Sequence, residues 1–236
     1  RASRTVPLVS TVCNIQMVQA ANDVITSEFT GRPSPVADLH ERTFSHFGVK
    51  EAVFPFNMFP EVDPVLGPEM RSTGEVLGLA STVGEAFLKA QEATQTAIPS
   101  EGTVLMSVSD RDKDEAAKVA QAFVDAGFAV VATKGTCELL NEAGIKAEHL
   151  NKLGEGRPNI LDALANGEIA IVVNTPASST ESHEDDSYIR KSAIKNHVPY
   201  MTTLAAAYVT AMGVKESKEN EGSGVRSLQE IHATIQ

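Results

Sequence analysis

The chain has 236 residues, 42% of them hydrophobic and 22% charged, enough for one large domain or two smaller ones with buried cores. Its 20 basic and 31 acidic residues leave a net charge of −11, which argues against a broad nucleic-acid-binding face, because phosphate neutralisation needs clustered cations. Two cysteines far apart exclude a disulfide framework, and no apolar run approaches the roughly 18–20 residues of a membrane span.

In chain order, residues 1–96 and 97–236 read as two units. The first is punctuated by Pro33, Pro35, Pro55, Pro60, Pro64 and Pro68, with Gly67, Gly74 and Gly78. Ile15, Val18, Ala21 and Ile25 predict a short helix over 14–25. Residues 52–56 predict a buried strand, and residues 83–95 a helix. A self-sufficient core is hard to find, so this unit is expected to be the last portion of a domain. The whole sequence is expected to be the tail of a longer cytosolic protein. The polar stretch 93–102 (ATQTAIPSEG) reads as a linker.

From Thr103 the pattern becomes regular. A strand over 103–108 leads to a helix capped by Ser109-Asp110 and ended by Gly127. A strand over 128–132, a helix over 136–143, an extended piece near His149 and a helix over 158–165 follow. Residues 168–173 predict the clearest strand, bounded by Gly167 and Asn174-Thr175-Pro176. Helices over 185–196 and 203–212 flank a short strand at 199–201. Residues 215–224 (KESKENEGSG) read as a solvated loop before a last helix over 227–235. Strands alternating with helices imply an α/β fold, a parallel sheet flanked by helices in Rossmann-type layering.

In such a sheet, ligands bind beyond the carboxyl ends of the strands. The sequence places Ser109, Asp110 and Lys113 there, then Thr133-Lys134-Gly135-Thr136, then Asn174 and Thr175. Lys152 and Arg157 flank the turn Gly154-Glu155-Gly156. A glycine, two hydroxyls and a helix start together make a phosphate cradle at residues 133–136. Four residues alone are more often an ordinary strand-to-helix turn. Lys113 and Lys152 on the same rim shift the balance toward a small phosphate ester, since lysine is a point-charge phosphate partner. Cys137 reads as a small apolar core residue. The six histidines show no metal-ligand spacing, so no metal is assigned. Glu181, Glu184, Asp185 and Asp186 read as a loop and an acidic helix start.

The stretches RASRTVP (1–7) and FPEVDPVLGPEMRSTGEVLG (59–78) resemble the end of the large subunit in the carbamoyl phosphate synthetase family. LMSVSDRDK (105–113), ATKGT (132–136), NKLGEGRPN (151–159), IVVNT (171–175) and YMTTL (200–204) resemble its methylglyoxal-synthase-like allosteric domain. The resemblance covers essentially the whole chain. It implies that residues 1–96 are the C-terminal remnant of the second ATP-grasp half and that residues 97–236 are regulatory. The parent is an ATP-dependent ligase making carbamoyl phosphate from bicarbonate, glutamine-derived ammonia and ATP, for arginine and pyrimidine synthesis. It uses ATP and Mg or Mn, with K, and a glutaminase small subunit. The resemblance places the metal and nucleotide residues of the catalytic half upstream of this sequence. The chain alone is therefore expected to be inactive, without cofactors, cytoplasmic and homo-oligomeric.

The resemblance also implies a nucleotide effector site, for UMP or IMP, at Lys113, Thr133, Thr136, Lys152, Asn174 and Asp185, with Asp186 as the alternative acidic contact. It implies an ornithine site at Glu51, Tyr200 and Thr202. Two rivals remain. One is a methylglyoxal-synthase-like phosphate lyase, whose catalytic Asp after a Gly-Gly pair is replaced here by Gly154-Glu155-Gly156-Arg157. The other is an oligomerisation module with an unused rim.

Overall fold

The computed structural model describes residues 5–34, 36, 40–59, 64, 66, 68–94, 96–176, 180–219 and 225–235; the side chains of residues 57 and 180–184 lie outside that description. Among the described residues, no helix is long and apolar enough to cross a membrane.

Helices α1 (Thr5–Cys13) and α2 (Met17–Thr30) precede an antiparallel strand pair, β1 (Phe47–Val53) and β2 (Gly74–Ala80). The register runs from Phe47 opposite Ala80 to Val53 opposite Gly74. Helix α3 (Val83–Ala93) packs on this pair. Gly78 permits that packing, since a Cβ there would lie 2.0 Å from the Ala86 carbonyl oxygen.

Then follow β3 (Gly102–Ser107), α4 (Lys113–Asp125), β4 (Phe128–Ala132), α5 (Lys134–Glu142), β5 (Ala147–His149), α6 (Ile160–Ala165), β6 (Ile171–Asn174), α7 (Thr180–Lys195), β7 (Tyr200–Met201) and α8 (Leu204–Glu219). The five strands pair in parallel in the order β5-β4-β3-β6-β7. Alternation along β3 explains why both faces are covered. Val104 and Met106 enter one core with Val119, Phe123, Leu140 and Ala211, while Leu105 enters the other with Ile160, Leu164 and Ile189. In the first core, Phe123 meets the edge of Phe128 at a 5.6 Å ring separation. The α/β architecture expected from the strand–helix alternation is the one observed.

The last helix, α9 (Leu228–His232), returns to the N-terminal elements: its His232 Nε2 lies 2.6 Å from the Thr11 carbonyl. Ser45 donates to the Thr234 hydroxyl at 2.8 Å beyond it.

Several local expectations are corrected. The helix expected over 14–25 is formed as α2, but it begins only at Met17, after Asn14 at φ 50, and runs on to Thr30. The strand expected at 52–56 lies earlier, over 47–53, and Phe56–Met58 forms a 3-10 turn. Its partner β2 was not anticipated. The strand expected from Glu168 begins only at Ile171, and α8 continues through Lys215–Glu219, where a loop was expected. The remainder of that expected loop, residues 220–224, lies outside the described residues.

Candidate functional site at the sheet rim

Parallel strands β3, β4 and β6 end together at Ser107, Ala132 and Asn174, which brings their following turns to one rim. Thr133 is the N-cap of α5 in extended conformation, and its hydroxyl makes no capping bond. The Thr133 amide donates to the Met106 carbonyl at 3.2 Å, fastening the turn to the end of β3. The first intrahelical bond of α5 runs from the Cys137 amide to the Thr133 carbonyl at 2.8 Å, so the amides of residues 134–136 head the helix without intrahelical acceptors. The Thr136 hydroxyl accepts from the Val108 amide at 3.2 Å and is 3.5 Å from the Thr133 hydroxyl.

Lys113 begins α4 and leans over this turn: a Cβ at Gly135 would be 3.5 Å from its ammonium. Its ammonium bonds Asp110 at 2.6 Å. That hydrogen bond and the Lys113 charge hold the exposed Asp110 carboxyl below the ordinary carboxylate range, with Lys152 adding a smaller pull. Lys152 is therefore close enough to act on the same rim. A neighbouring lock joins Ser109 to β6, where its amide donates to the Thr175 hydroxyl at 2.8 Å and its own hydroxyl donates to Asp112 at 2.7 Å.

Behind the cradle lies a buried polar cluster. Asn174 is 0% exposed; its amide donates to Asp186 at 2.9 Å, and its carbonyl accepts from Arg190 at 2.7 Å. Of the two aspartates, Asp186 is the one hydrogen-bonded to Asn174, while Asp185 is half-buried one residue earlier. Arg190, itself 0% exposed, is the rim residue that the sequence reading missed. The available signal was an arginine four residues after Asp186 on a helix that buries Ile189 and Ala193.

The turn at 151–157 is internally committed. Glu155 accepts from the Lys152 amide at 2.8 Å, and Arg157 pairs with Asp162, which also completes the α6 capping box with Asn159. Cys137 is buried in the first core, with Asn141 and the Ala147 carbonyl as polar neighbours.

Glu51 lies on β1 of the two-stranded sheet, and burial pushes its carboxyl above the usual range, partly offset by the Ala52 backbone bond. Tyr200 lies on β7 of the larger sheet, with Thr202 just beyond it. Helix α7 packs on the turn Phe56–Met58, and α3 packs on α8.

Comparison with known proteins adds to this geometry. The family model for the MGS-like domain matches residues 115–202. The large chain of carbamoyl phosphate synthase from Acidobacterium capsulatum is 43% identical over 99% of this chain, and that from Ralstonia nicotianae is 43% identical over all of it; each match spans 21% of the relative. A carbamoyl phosphate synthase large chain, C-terminal section, from Aquifex aeolicus is 41% identical over 98% of this chain and 46% of its own length. The chain thus spans about a fifth of the full-length relatives and under half of that C-terminal section. With its five-stranded parallel sheet and these relatives along its whole length, the chain belongs with the C-terminal part of the carbamoyl phosphate synthase large chains and carries an MGS-like domain.

Proposed function

We propose that the rim is an effector site for a nucleoside monophosphate, UMP or IMP, in the regulatory portion of a carbamoyl phosphate synthase. The observation that carries the reading is the convergence of Thr133, Thr136 and the head of α5 under the Lys113 ammonium. A phosphate monoester accepts from the free amides and hydroxyls and takes Lys113 and Lys152 as counter-charges. Asp110 then yields Lys113 to the phosphate, exchanging one oxyanion for another. Asn174 orders the rim from behind through Asp186 and Arg190.

In this proposal residues 1–96 are the remnant of an ATP-grasp domain and residues 97–236 the regulatory domain. Glu51, Tyr200 and Thr202 contribute to an ornithine site between them. The parent is an ATP-dependent ligase, and ATP with its Mg or Mn and K belongs to portions of the parent outside these residues. The glutaminase subunit and a second copy of the large chain are its partners, in the cytoplasm. The chain alone has no ligase activity. Effector binding shifts the balance between states of the parent, by no more than its differential affinity for them.

The lyase alternative is weakened by the turn Gly154-Glu155-Gly156-Arg157, which carries no Asp; its Glu155 accepts from the Lys152 amide at 2.8 Å.

Calorimetric titration with UMP, IMP and inorganic phosphate tests the reading. Saturable nucleotide binding well above phosphate is expected, and its absence overturns the proposal. Methylglyoxal formed from dihydroxyacetone phosphate would favour the lyase.

A further inference from the structure

None of the nine residues of α1 is buried, so polar contacts decide how firmly its C-terminal end is held. An α-helix leaves its last four carbonyls without intrahelical donors. In α1 these belong to Ser10, Thr11, Val12 and Cys13, and each of them has a donor. The Ile15 amide donates to Ser10 at 3.1 Å. His46 Nε2 donates to Val12 at 2.9 Å, and the Arg42 guanidinium donates to Cys13 at 3.3 Å and to Asn14 at 3.2 Å. These donors are local to the N-terminal unit, since Arg42 and His46 lie just before β1. Thr11 differs: its donor is His232 Nε2 at 2.6 Å, carried by α9 and 221 positions further along the chain. A carbonyl only accepts, so each imidazole holds a proton on Nε2.

The segment that carries His232 makes its other contacts with the same unit. The Ser45 hydroxyl donates to Thr234 at 2.8 Å, and Leu228 and Ile231 share the walls of a cavity of about 350 Å³ with Leu77 and Leu79 of β2. All of these partners precede residue 96, although α9 follows the parallel-sheet layer in sequence.

That seat is loosely made. Ile231 is the buried residue of α9, and the bond between Ser45 and Thr234 is exposed. The cavity leaves Leu77, Leu79 and Leu228 half-buried, whereas a packed interior holds few voids larger than a water molecule. The first turn of α9 is closed locally, because Ser227 and Glu230 complete a capping box. Few buried apolar contacts and exposed hydrogen bonds mark the segments that open before the rest of a fold.

We infer that residues 227–235 form a releasable strap that fastens the C-terminal end of α1 to the N-terminal unit. With the strap seated, Thr11 has its donor and α1 is ordered. With the strap released, the Thr11 carbonyl returns to water and α1 loosens, while the five-stranded sheet, which α9 does not enter, stays folded. The order of α1 thereby depends on a segment beyond the parallel-sheet layer, whatever ligand the rim takes. Native-state amide hydrogen exchange in rising, sub-denaturing urea, read by NMR on the whole chain, tests this. The Ile231 and Ala233 amides of the strap and those of the last turn of α1 should open together, with a shallower urea dependence than the amides of β3, β4 and β6. Deleting residues 225–236 should speed exchange in α1 roughly tenfold or more while those strands stay protected. His232→Ala should speed it in the same direction without moving the chemical shifts of the sheet. Strap amides that open only with the sheet would overturn the inference, as would a sheet that loses protection on the deletion. So would α1 exchange left unchanged by both variants, or as fast as an unfolded peptide in the native chain.

Discussion

Gly84 of α3 and Gly213 of α8 meet backbone to backbone: a Cβ on Gly84 would lie 2.8 Å from the Gly213 Cα, and one on Gly213 would lie 2.5 Å from the Gly84 carbonyl oxygen. The Thr82 hydroxyl donates to Glu216 at 2.6 Å beside this crossing. An element from before residue 96 is thereby seated directly on a helix of the parallel-sheet layer. Gly213→Ala gains helix propensity, yet it meets rigid backbone rather than a flexible side chain. Overpacking of this kind costs about 1–3 kcal/mol. A lower urea midpoint with an unchanged slope is expected, and an unchanged midpoint would contradict the close crossing.

The rim residues differ in what they hold. Lys113 is partly exposed and pairs with exposed Asp110, so Lys113→Ala should leave stability nearly unchanged. It should weaken nucleotide binding by roughly 10- to 100-fold, the worth of a charge-assisted hydrogen bond of about 1.5–3 kcal/mol. Thr136→Ala is different, because it also strips the acceptor from the buried Val108 amide, and stability should fall by about 1–3 kcal/mol. Asp110→Asn removes the competing oxyanion and should tighten binding. Calorimetry and urea unfolding on the three variants separate these effects.

Burial raises the Glu51 carboxyl pKa in the folded state. The fold therefore favours the protonated acid, and that contribution to stability is full below the ordinary carboxylate range and lost as pH rises through the raised value. Glu51→Gln, which mimics the neutral acid, should raise the unfolding midpoint at pH 7. The advantage over the native chain should vanish at acid pH. Parallel midpoints at every pH would contradict the assigned burial effect.

Arg190 is fully buried against Asn174, with Asp186 on the other side of the same amide. Removing one member of such a cluster leaves charges without partners, at a cost of about 3–5 kcal/mol. Arg190→Met should show that loss in chemical unfolding. A loss below about 1 kcal/mol, the ordinary worth of a hydrogen bond, would mean the cluster is not a unit.

The parallel sheet was legible because its strands carry short continuous apolar runs, such as residues 104–106 and 171–173, bounded by turn residues. Thr133 and Thr136 were legible because the cradle is local in sequence. Strand β2 was not, since GEVLGLA breaks the strand pattern at Gly78 for a reason found only in the approach of α3. Arg190 escaped because a charged residue on a helix is ordinarily solvated, and only the tertiary placement of Asn174 and Asp186 explains its burial. The return of α9 to α1 spans nearly the whole chain and left no local signal at all.

The most direct measurement is a backbone-amide NMR titration of the chain with UMP. The account predicts saturable shifts concentrated at residues 133–136, Ser109, Lys113 and Asn174, with competition by IMP and loss of the response in Lys113→Ala. Shifts clustered elsewhere, or no saturable shift at the rim, would contradict it.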